Sequence, residues 1–523
     1  MREDGRMKSG YCVADVRAAE ARLMARVPPG ALMQRAAMGL AVESIALLSD
    51  CRGAVPGSRV VLLVGSGDNG GDALWAGSRL ALRGAAVTAV LLGDRWHLDG
   101  ARALARAGGR LEVVDEARHC ALIGRADLVL DAVVGIGGTG ALRGSAIELA
   151  DAARESSAIT VAVDLPSGID ANTGAVADPT RVVTADVTVT FGVLKSGLIV
   201  APGSLFVGDL RLVDIGLGGE FDGEPALRVV EAPDAARHLP SPGPTDDKYT
   251  RGVVGVVSGS TPYPGAAVLS TGSARLGGSG MVRYAGGAPE QVIANWPEVV
   301  IGHDGPANAG RVQAWVVGPG AGTDAAAAER LAQVLADPAP ALVDADALTL
   351  LASQQGLRQT VAQRHAQGQV TVLTPHEGEF ARLGYHLSTG AAEDRVAVVR
   401  AAASDLGAVV LLKGSHTVVA EPDGAVFVNT TSASTLATAG SGDVLSGLAG
   451  SMLAVAAADQ LRQGLAVTTR LAAEVVVSAA FVHGLAGIIA GRDDLPVVAH
   501  DILDAVPDAI AAIRGSQSGV GRD

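Results

Sequence analysis

The feature that most constrains this chain is a repeated unit: a short apolar run, a loop bearing glycine or aspartate, then a helical stretch. RVVLLVG (59–65) leads into a glycine-rich loop and the helical pattern ALWAGSRLALRG, and AAVTAVLLG, RADLVLDAVVG, AITVAVDLPSG and ADVTVTFG repeat the theme. Residues 15–49, ahead of these, space Ala, Leu and Met by three and four, as a helix requires. Apolar runs without polar alternation predict strands buried on both faces of a mostly parallel sheet. A second series begins at RGVVGVVSGS (251–260), continues through AWVVGPG, ALVDADAL, VTVLTPHEGE and AVVLLKGSH, and ends in Ala-rich helices after residue 442. With aromatics at 3%, the cores must be filled by Ala, Val, Leu and Ile, which suits close-packed helices on sheets. The fold class is therefore α/β. At 523 residues more than one domain is expected. The pattern lapses between about 218 and 250, where LPSPGPTDD carries three Pro and a Gly. This predicts domains at 1–232 and 251–523 joined by a linker at 233–250. The halves share no obvious repeated sequence.

A net charge of -14 argues against a nucleic-acid binder, since phosphate backbones are gripped by Lys and Arg. Three cysteines (Cys12, Cys51, Cys120) with no CxxC pair give neither a disulfide framework nor a cysteine zinc site. The segment MREDGRMKSG lacks the apolar core of a signal peptide. Val475 to Ala490, the longest apolar stretch, is interrupted by Ser478, His483, Gly484 and Gly487 and reads as too short to span a membrane. The expectation is a soluble, cytoplasmic protein with no membrane partner. The sequence does not fix its oligomeric state, and a homo-oligomer is compatible with it.

In the first half, Gly65-Ser66-Gly67-Asp68-Asn69-Gly70-Gly71-Asp72 joins a strand to a helix. Glycines let the backbone approach a phosphate and the helix start offers free N–H donors, though a tight turn capped by Asp72 would look the same. Two further strand ends are more telling. Asp131 leads into Gly135-Ile136-Gly137-Gly138-Thr139-Gly140-Ala141, and Asp164 leads into Pro166-Ser167-Gly168. A carboxylate ending an apolar strand is costly unless paired, coordinated or solvated. Asn69, Asp131 and Ser167 offer only oxygens and a single carboxylate, a set suited to a hard, weakly charged cation rather than zinc.

The ordered segments GDNGGD, DAVVGIGGTG, VDLPSGID and FGVLKSG resemble the NAD(P)H-hydrate epimerase family over about residues 15–215. The resemblance implies a Rossmann-like three-layer domain, with Asn69, Asp131 and Ser167 as potassium ligands. It implies substrate contacts from Asp68 through Asp72 (with Asn69, Gly70 and Gly71), from Gly135 through Ala141, and from Asp164. Asp164 has the chemistry to move a proton at the hydrated ring, and Lys195 is expected as its acid partner, a phosphate ligand or a solvated loop lysine. Asp68 stands where the family often has Asn, and Ile136 where Thr is usual. The first departure adds negative charge near a phosphate site.

In the second half, Gly440-Ser441-Gly442-Asp443 opens a long apolar helix. Small residues at a helix start form an anion hole, and the aspartate places a base beside it. Lys413-Gly414-Ser415-His416-Thr417, Thr374-Pro375-His376-Glu377-Gly378-Glu379 and Gly318-Pro319-Gly320-Ala321-Gly322 each follow a predicted strand. With YPGA (263–266), this set resembles the ADP-dependent NAD(P)H-hydrate dehydratases of the ribokinase-like superfamily over about residues 245–515, GSGD replacing the commoner GTGD. The resemblance implies a three-layer ribokinase-like domain. Lys413, Gly414, Ser415, His416, Thr417 and Gly442 would hold ADP or ATP, with Mg2+ on its phosphates. Ala266, Gly322, His376 and Asp443 would hold the hydrated NADH or NADPH, Asp443 as catalytic base. Two other readings are open: a small-molecule kinase with a regulatory dinucleotide-binding half, and a first half that only senses nucleotides.

Overall fold

The computed structural model describes residues 7–138, 140–239, 241–302, 304–387, 394–492 and 495–518. The chain divides into two compact units, one of Ser9–Ala226 with Ser388–Arg395, the other of Met1–Lys8, Leu227–Leu387 and Val396–Asp523.

In the first unit a seven-stranded sheet runs, edge to edge, Arg110–Val113, Ala86–Leu91, Arg59–Val64, Leu128–Ala132, Ile159–Val163, Val187–Phe191 and Asp209–Val213. All neighbours are parallel. Alternate residues of one strand enter different cores. Val60, Leu62 and Val64 pack with Leu40, Leu48, Leu74 and Leu80, whereas Val61 and Leu63 pack with Ile123 and Leu149. Both faces are therefore covered by helices, as unbroken apolar runs require. Strand order reverses between Arg59–Val64 and Leu128–Ala132, and ligands bind at the carboxyl ends beside such a reversal. Asn69 and Asp131 lie there.

In the second unit the strands run Val300–Ile301, Met281–Tyr284, Val253–Val257, Ala314–Val317, Ala341–Val343, Thr371–Leu373, Val409–Leu412, Thr417–Ala420, Val426–Asn429 and Leu227–Val229. The first seven are parallel, and Val409–Leu412, Thr417–Ala420 and Val426–Asn429 form an antiparallel meander. Val254 and Val256 enter a core built from the helices Pro264–Ala274, Ser441–Arg462 and Thr469–Ala490. Val253 and Val257 enter another, with Leu331, Leu348 and Val361. The mostly parallel α/β class expected from the sequence is what both units show.

Within residues 218–250, where the sequence pattern lapses, Leu227–Val229 is a strand paired with Phe427 and Val428, and Ala232–Arg237 is a helix. Val230, Ala235 and Leu239 are buried in the second unit's core.

The length argument against a membrane span needs correcting. The apolar stretch near 475–490 belongs to a 22-residue helix, Thr469–Ala490, and by length and composition this helix, Ala31–Arg52 and Ser441–Arg462 could each cross a membrane. The apolarity of two of them has another explanation: 78% of the Thr469–Ala490 window and 72% of the Ser441–Arg462 window are buried inside the protein.

Candidate functional sites

The first site grows from three strand ends. Asp131 is wholly buried, and its two oxygens accept from Ser167 N (2.7 Å), Ser167 Oγ (2.7 Å) and Val133 N (3.3 Å). No described Lys or Arg pairs with it, so burial pushes its carboxyl up to about 6 even though those hydrogen bonds pull the other way. Ser167 Oγ also accepts from Val134 N at 2.9 Å. The Asn69 side-chain amide reaches the carbonyls of Val163 and Val134. Its two ends are interchangeable by a flip, so these carbonyls and the amide oxygen can serve as one donor set. An unneutralised carboxylate beside serine, amide and carbonyl oxygens fits a potassium ion and does not fit zinc.

Asp164 ends strand Ile159–Val163 in a left-handed conformation, φ 68°, a strain that a non-glycine residue adopts at a cost of about 1–3 kcal/mol. Its Oδ1 accepts from Lys195 Nζ (2.5 Å), Thr190 Oγ1 (3.0 Å) and Phe191 N (3.2 Å), and no described residue bonds Oδ2. Lys195 is 2% exposed, and its ammonium also reaches Phe191 O (2.9 Å) and Thr190 Oγ1 (3.1 Å). Its three donors are engaged and the side chain is buried, which corrects the solvated-loop expectation for Lys195. Lys195 and Asp164 form a buried ion pair.

Asp68, Asn69, Gly70, Gly71 and Asp72 form the first turn of helix Asp68–Leu82. Asp68 is exposed, whereas Asn69 and Asp72 are buried. Oδ1 of Asp72 has no partner among the described residues, and burial, then Asp164, Asp68 and Glu20, push its carboxyl well above the usual range. Gly135 packs so tightly on the Asn69 amide that a side chain there would collide with it. Ile136 and Gly138 are half-buried, Gly137 and Gly140 are exposed, and Gly138 N closes a turn on Gly135 O at 2.9 Å. Ala141 follows, half-buried; Thr139 lies outside the described residues.

The second site centres on Lys413, Asp443 and three acids that the motif reading passed over. Lys413 Nζ lies 2.8 Å from Asp344 Oδ1 and 3.8 Å from Glu379 Oε2. Burial alone would lower its ammonium, but Asp344 and Glu379 reverse this and hold it above its ordinary value. Ser446 Oγ, one turn beyond Gly442, donates to Asp344 Oδ2. A methyl group on Gly442 would sit 3.4 Å from Lys413 Nζ, so the ammonium faces the helix start that carries Asp443. The Asp443 carboxyl is pushed up to about 7, by burial first and by Asp344 next, with Lys413 opposing. That suits a base working near neutrality.

Gly322 N donates to Asp346 Oδ2 at 2.9 Å, and Ala345, between Asp344 and Asp346, is left-handed with φ 50°. Ala266 is half-buried, its Cβ close to Gly320. His376 caps helix Glu377–Arg382: Nδ1 accepts from Gly378 N (3.0 Å) and Glu379 N (3.3 Å), while Nε2 lies 3.4 Å from Glu379 Oε1. Gly414, Ser415 and His416 form the turn between antiparallel strands Val409–Leu412 and Thr417–Ala420, and Thr417 is buried at the second strand's start. Asp344 meets the same strand-end criterion that singled out Asp131 and Asp164, and ALVDADAL displays it. Glu379 stood inside TPHEGE. For Thr190, Ser446 and Glu20 no local signal existed, because only tertiary packing brings them to the sites.

A family model described as NAD(P)H-hydrate dehydratase matches residues 254–508, and one described as YjeF-related protein N-terminus matches residues 29–197. The bifunctional NAD(P)H-hydrate repair enzyme Nnr of Mycobacterium leprae is 48% identical over 513 residues, which cover 97% of this chain and 100% of that protein. The chain belongs to the bifunctional NAD(P)H-hydrate repair enzyme family. The Mycobacterium tuberculosis member is 52% identical over 450 residues, 86% of this chain and 89% of its own. Among solved structures, an ADP/ATP-dependent NAD(P)H-hydrate dehydratase from Bacillus subtilis, co-crystallised with ATP/Mg2+, aligns at 23% identity and a TM-score of 0.45, over 54% of this chain and 97% of that one. Membership in the repair family displaces the small-molecule-kinase alternative, which had no place for the N-terminal motifs.

Proposed function

We propose that the first unit interconverts the R and S forms of hydrated NADH and NADPH, and that the second unit dehydrates the S form at the expense of ADP or ATP. The observation that carries this reading is one chain with two separate carboxylate-centred sites, matched from end to end by a repair-enzyme relative.

In the first site Asp164 moves the proton. Its Oδ1 is fixed by Lys195, Thr190 and Phe191, which leaves Oδ2 to face the hydrated ring. A rigidly held carboxylate loses little orientation during the transfer. Asn69, Asp131, Ser167 and the carbonyls of Val134 and Val163 would hold potassium. Bound there, the ion supplies the positive charge that Asp131 lacks and ties together the two loops flanking the substrate.

In the second site Asp443 takes the proton of the ring hydroxyl as the terminal phosphoryl group of the nucleotide is transferred to it. Lys413, held by Asp344 and Glu379, stabilises negative charge at that point. Hydroxide is a poor leaving group and phosphate a good one, so loss of phosphate with a neighbouring ring proton restores the double bond. Among the described residues no three His, Cys, Asp or Glu side chains form a ready-made metal cage. Magnesium fits as a passenger on the nucleotide's phosphates, the usual mode for this ion.

The test is recovery of the reduced-nicotinamide absorbance band by the purified chain given mixed R and S hydrates, magnesium and either nucleotide. Complete recovery supports both activities. Recovery that stops when the S form is exhausted removes the epimerase, and a stable phosphorylated product removes the dehydratase.

A further inference from the structure

The first site is rich in acid. Asp68, Asp72, Asp164 and Glu20 lie close enough that their charges act on one another. A dinucleotide brings a pyrophosphate to this place, and such a ligand needs a cation. Lys195 is not available, since Asp164, Thr190 and Phe191 occupy its ammonium. Potassium at Asp131 balances only that residue.

One cation remains over the glycine loop. Arg17 lies on helix Val13–Met24, one turn before Glu20, and its side chain is exposed. A methyl group built on Gly137 would come within 3.0 Å of Arg17 Nη2. The guanidinium therefore rests directly above the loop Gly135–Gly138, at its exposed residue. Arg17 makes no ion pair with any described residue. Its charge acts on Glu20, but no described carboxylate holds its fork, so the guanidinium can turn to an anion. Its fork matches two phosphate oxygens, and a phosphate lying beside the glycine loop would meet the exposed edge of that fork.

We infer that Arg17 is a binding residue of the epimerase site, gripping the pyrophosphate of the hydrated dinucleotide beside the glycine loop at Gly137. The inference rests on the proposed epimerase activity for its substrate. It assigns a role to the helix Val13–Met24, which lies ahead of the matched residues 29–197. The helix acts as a clasp: Val16, Ala19 and Leu23 anchor one face in the unit, and Arg17 and Glu20 are presented to the site.

The test uses the full chain with potassium and no ADP or ATP, so that the dehydratase half is idle, and follows equilibration of the R and S forms of hydrated NADH. Arg17→Gln should raise KM about ten- to a hundredfold, the loss expected for one charge-assisted contact, with kcat little changed. Inhibition by ADP-ribose should weaken by a similar factor while inhibition by adenosine, which has no phosphate, is unaltered. Arg17→Lys should fall between, keeping the charge but not the fork. An unchanged KM overturns the inference, as does an equal loss for adenosine and ADP-ribose, which would mark a merely structural role. A loss seen instead in Arg143→Gln, an exposed arginine just past the loop, overturns it too. Direct titration with ADP-ribose, the dehydratase half saturated with ATP, separates this inference from the activity. If the wild-type chain fails to equilibrate the hydrates yet Arg17→Gln still loses ADP-ribose binding, the epimerase reading falls and the phosphate contact stands. If the wild-type chain does not bind ADP-ribose there, the contact falls.

Discussion

Burying a carboxylate at the end of an apolar strand is costly, and this chain does it three times in three different ways. Asp164 is neutralised by Lys195 and Asp344 by Lys413 with help from Ser446, whereas Asp131 has hydrogen bonds alone and keeps its charge uncompensated. The differences give different mutational signatures. Lys195→Met leaves a buried charge unpaired and should destabilise the chain by about 3–5 kcal/mol in denaturant titration. Asp164→Asn should slow R/S equilibration on the order of a hundredfold or more with a smaller effect on KM, and unchanged turnover would remove Asp164 from the chemistry. Asp131 predicts a response to potassium: the wild-type melting temperature should rise on titration, by about 2.7 kcal/mol of stability at a hundredfold excess over Kd. Asp131→Asn should show no such rise, and an equal rise would exclude this site. Asp443 carries a pH signature. Its carboxyl, held near 7 in the folded chain and near 3.8 in the unfolded one, binds more protons when folded, so it costs stability as pH rises from about 4 to 7. Asp443→Asn should therefore abolish dehydration, leave epimerisation intact, and melt higher than wild type at pH 8, by up to roughly 4 kcal/mol. That gain should vanish as pH falls towards 4, and a gain independent of pH would contradict the raised carboxyl.

The helix Ser441–Arg462 links the second candidate site to the core. Its first turn holds Gly442 and Asp443, and its body packs on helix Pro264–Ala274 and strand Ala314–Val317 through small residues. Gly447 lies against the Ser270 carbonyl and Gly450 against Val316, so neither position has room for a side chain. Close approach of this kind sets the helix axis, and with it the depth of Asp443 beside Lys413. Gly447→Ala should cost about 1–3 kcal/mol, because the overlap is with backbone rather than a flexible side chain. It should lower dehydration more than epimerisation. Equal loss of both activities would show a global defect instead.

At the scale of the molecule, each unit carries its own hydrophobic core and its own candidate site. We expect fragment 227–523 to fold and retain dehydration. Fragment 251–523 lacks strand Leu227–Val229 and the buried Val230, Ala235 and Leu239, and each core aliphatic lost from such a place typically costs about 2–5 kcal/mol. It should be insoluble or markedly less stable. Comparable melting of the two fragments would place the functional boundary at the proline-rich stretch.

What the sequence determined by itself follows from local patterns. Runs such as RVVLLVG and AVVLL name strands buried on two faces, because only those tolerate every residue being apolar. Gly65–Asp72, Asp131, Asp164, Lys413 and Gly440–Asp443 advertise sites, because glycine and acid at a strand end or helix start have few other uses. Tertiary structure alone decided the partners. That Lys195 is locked to Asp164 across thirty-one positions, that Ser446 holds Asp344 from a hundred and two positions away, and that Arg17 lies over Gly137 are facts of packing. It also moved Leu227–Val229 into the second unit, where three residues add a strand beside Val426–Asn429 too briefly to show any periodicity of their own. A local pattern states what a residue needs, such as burial, a cap or a counter-charge. Which distant residue supplies it is fixed only when the sheet brings the strand ends together.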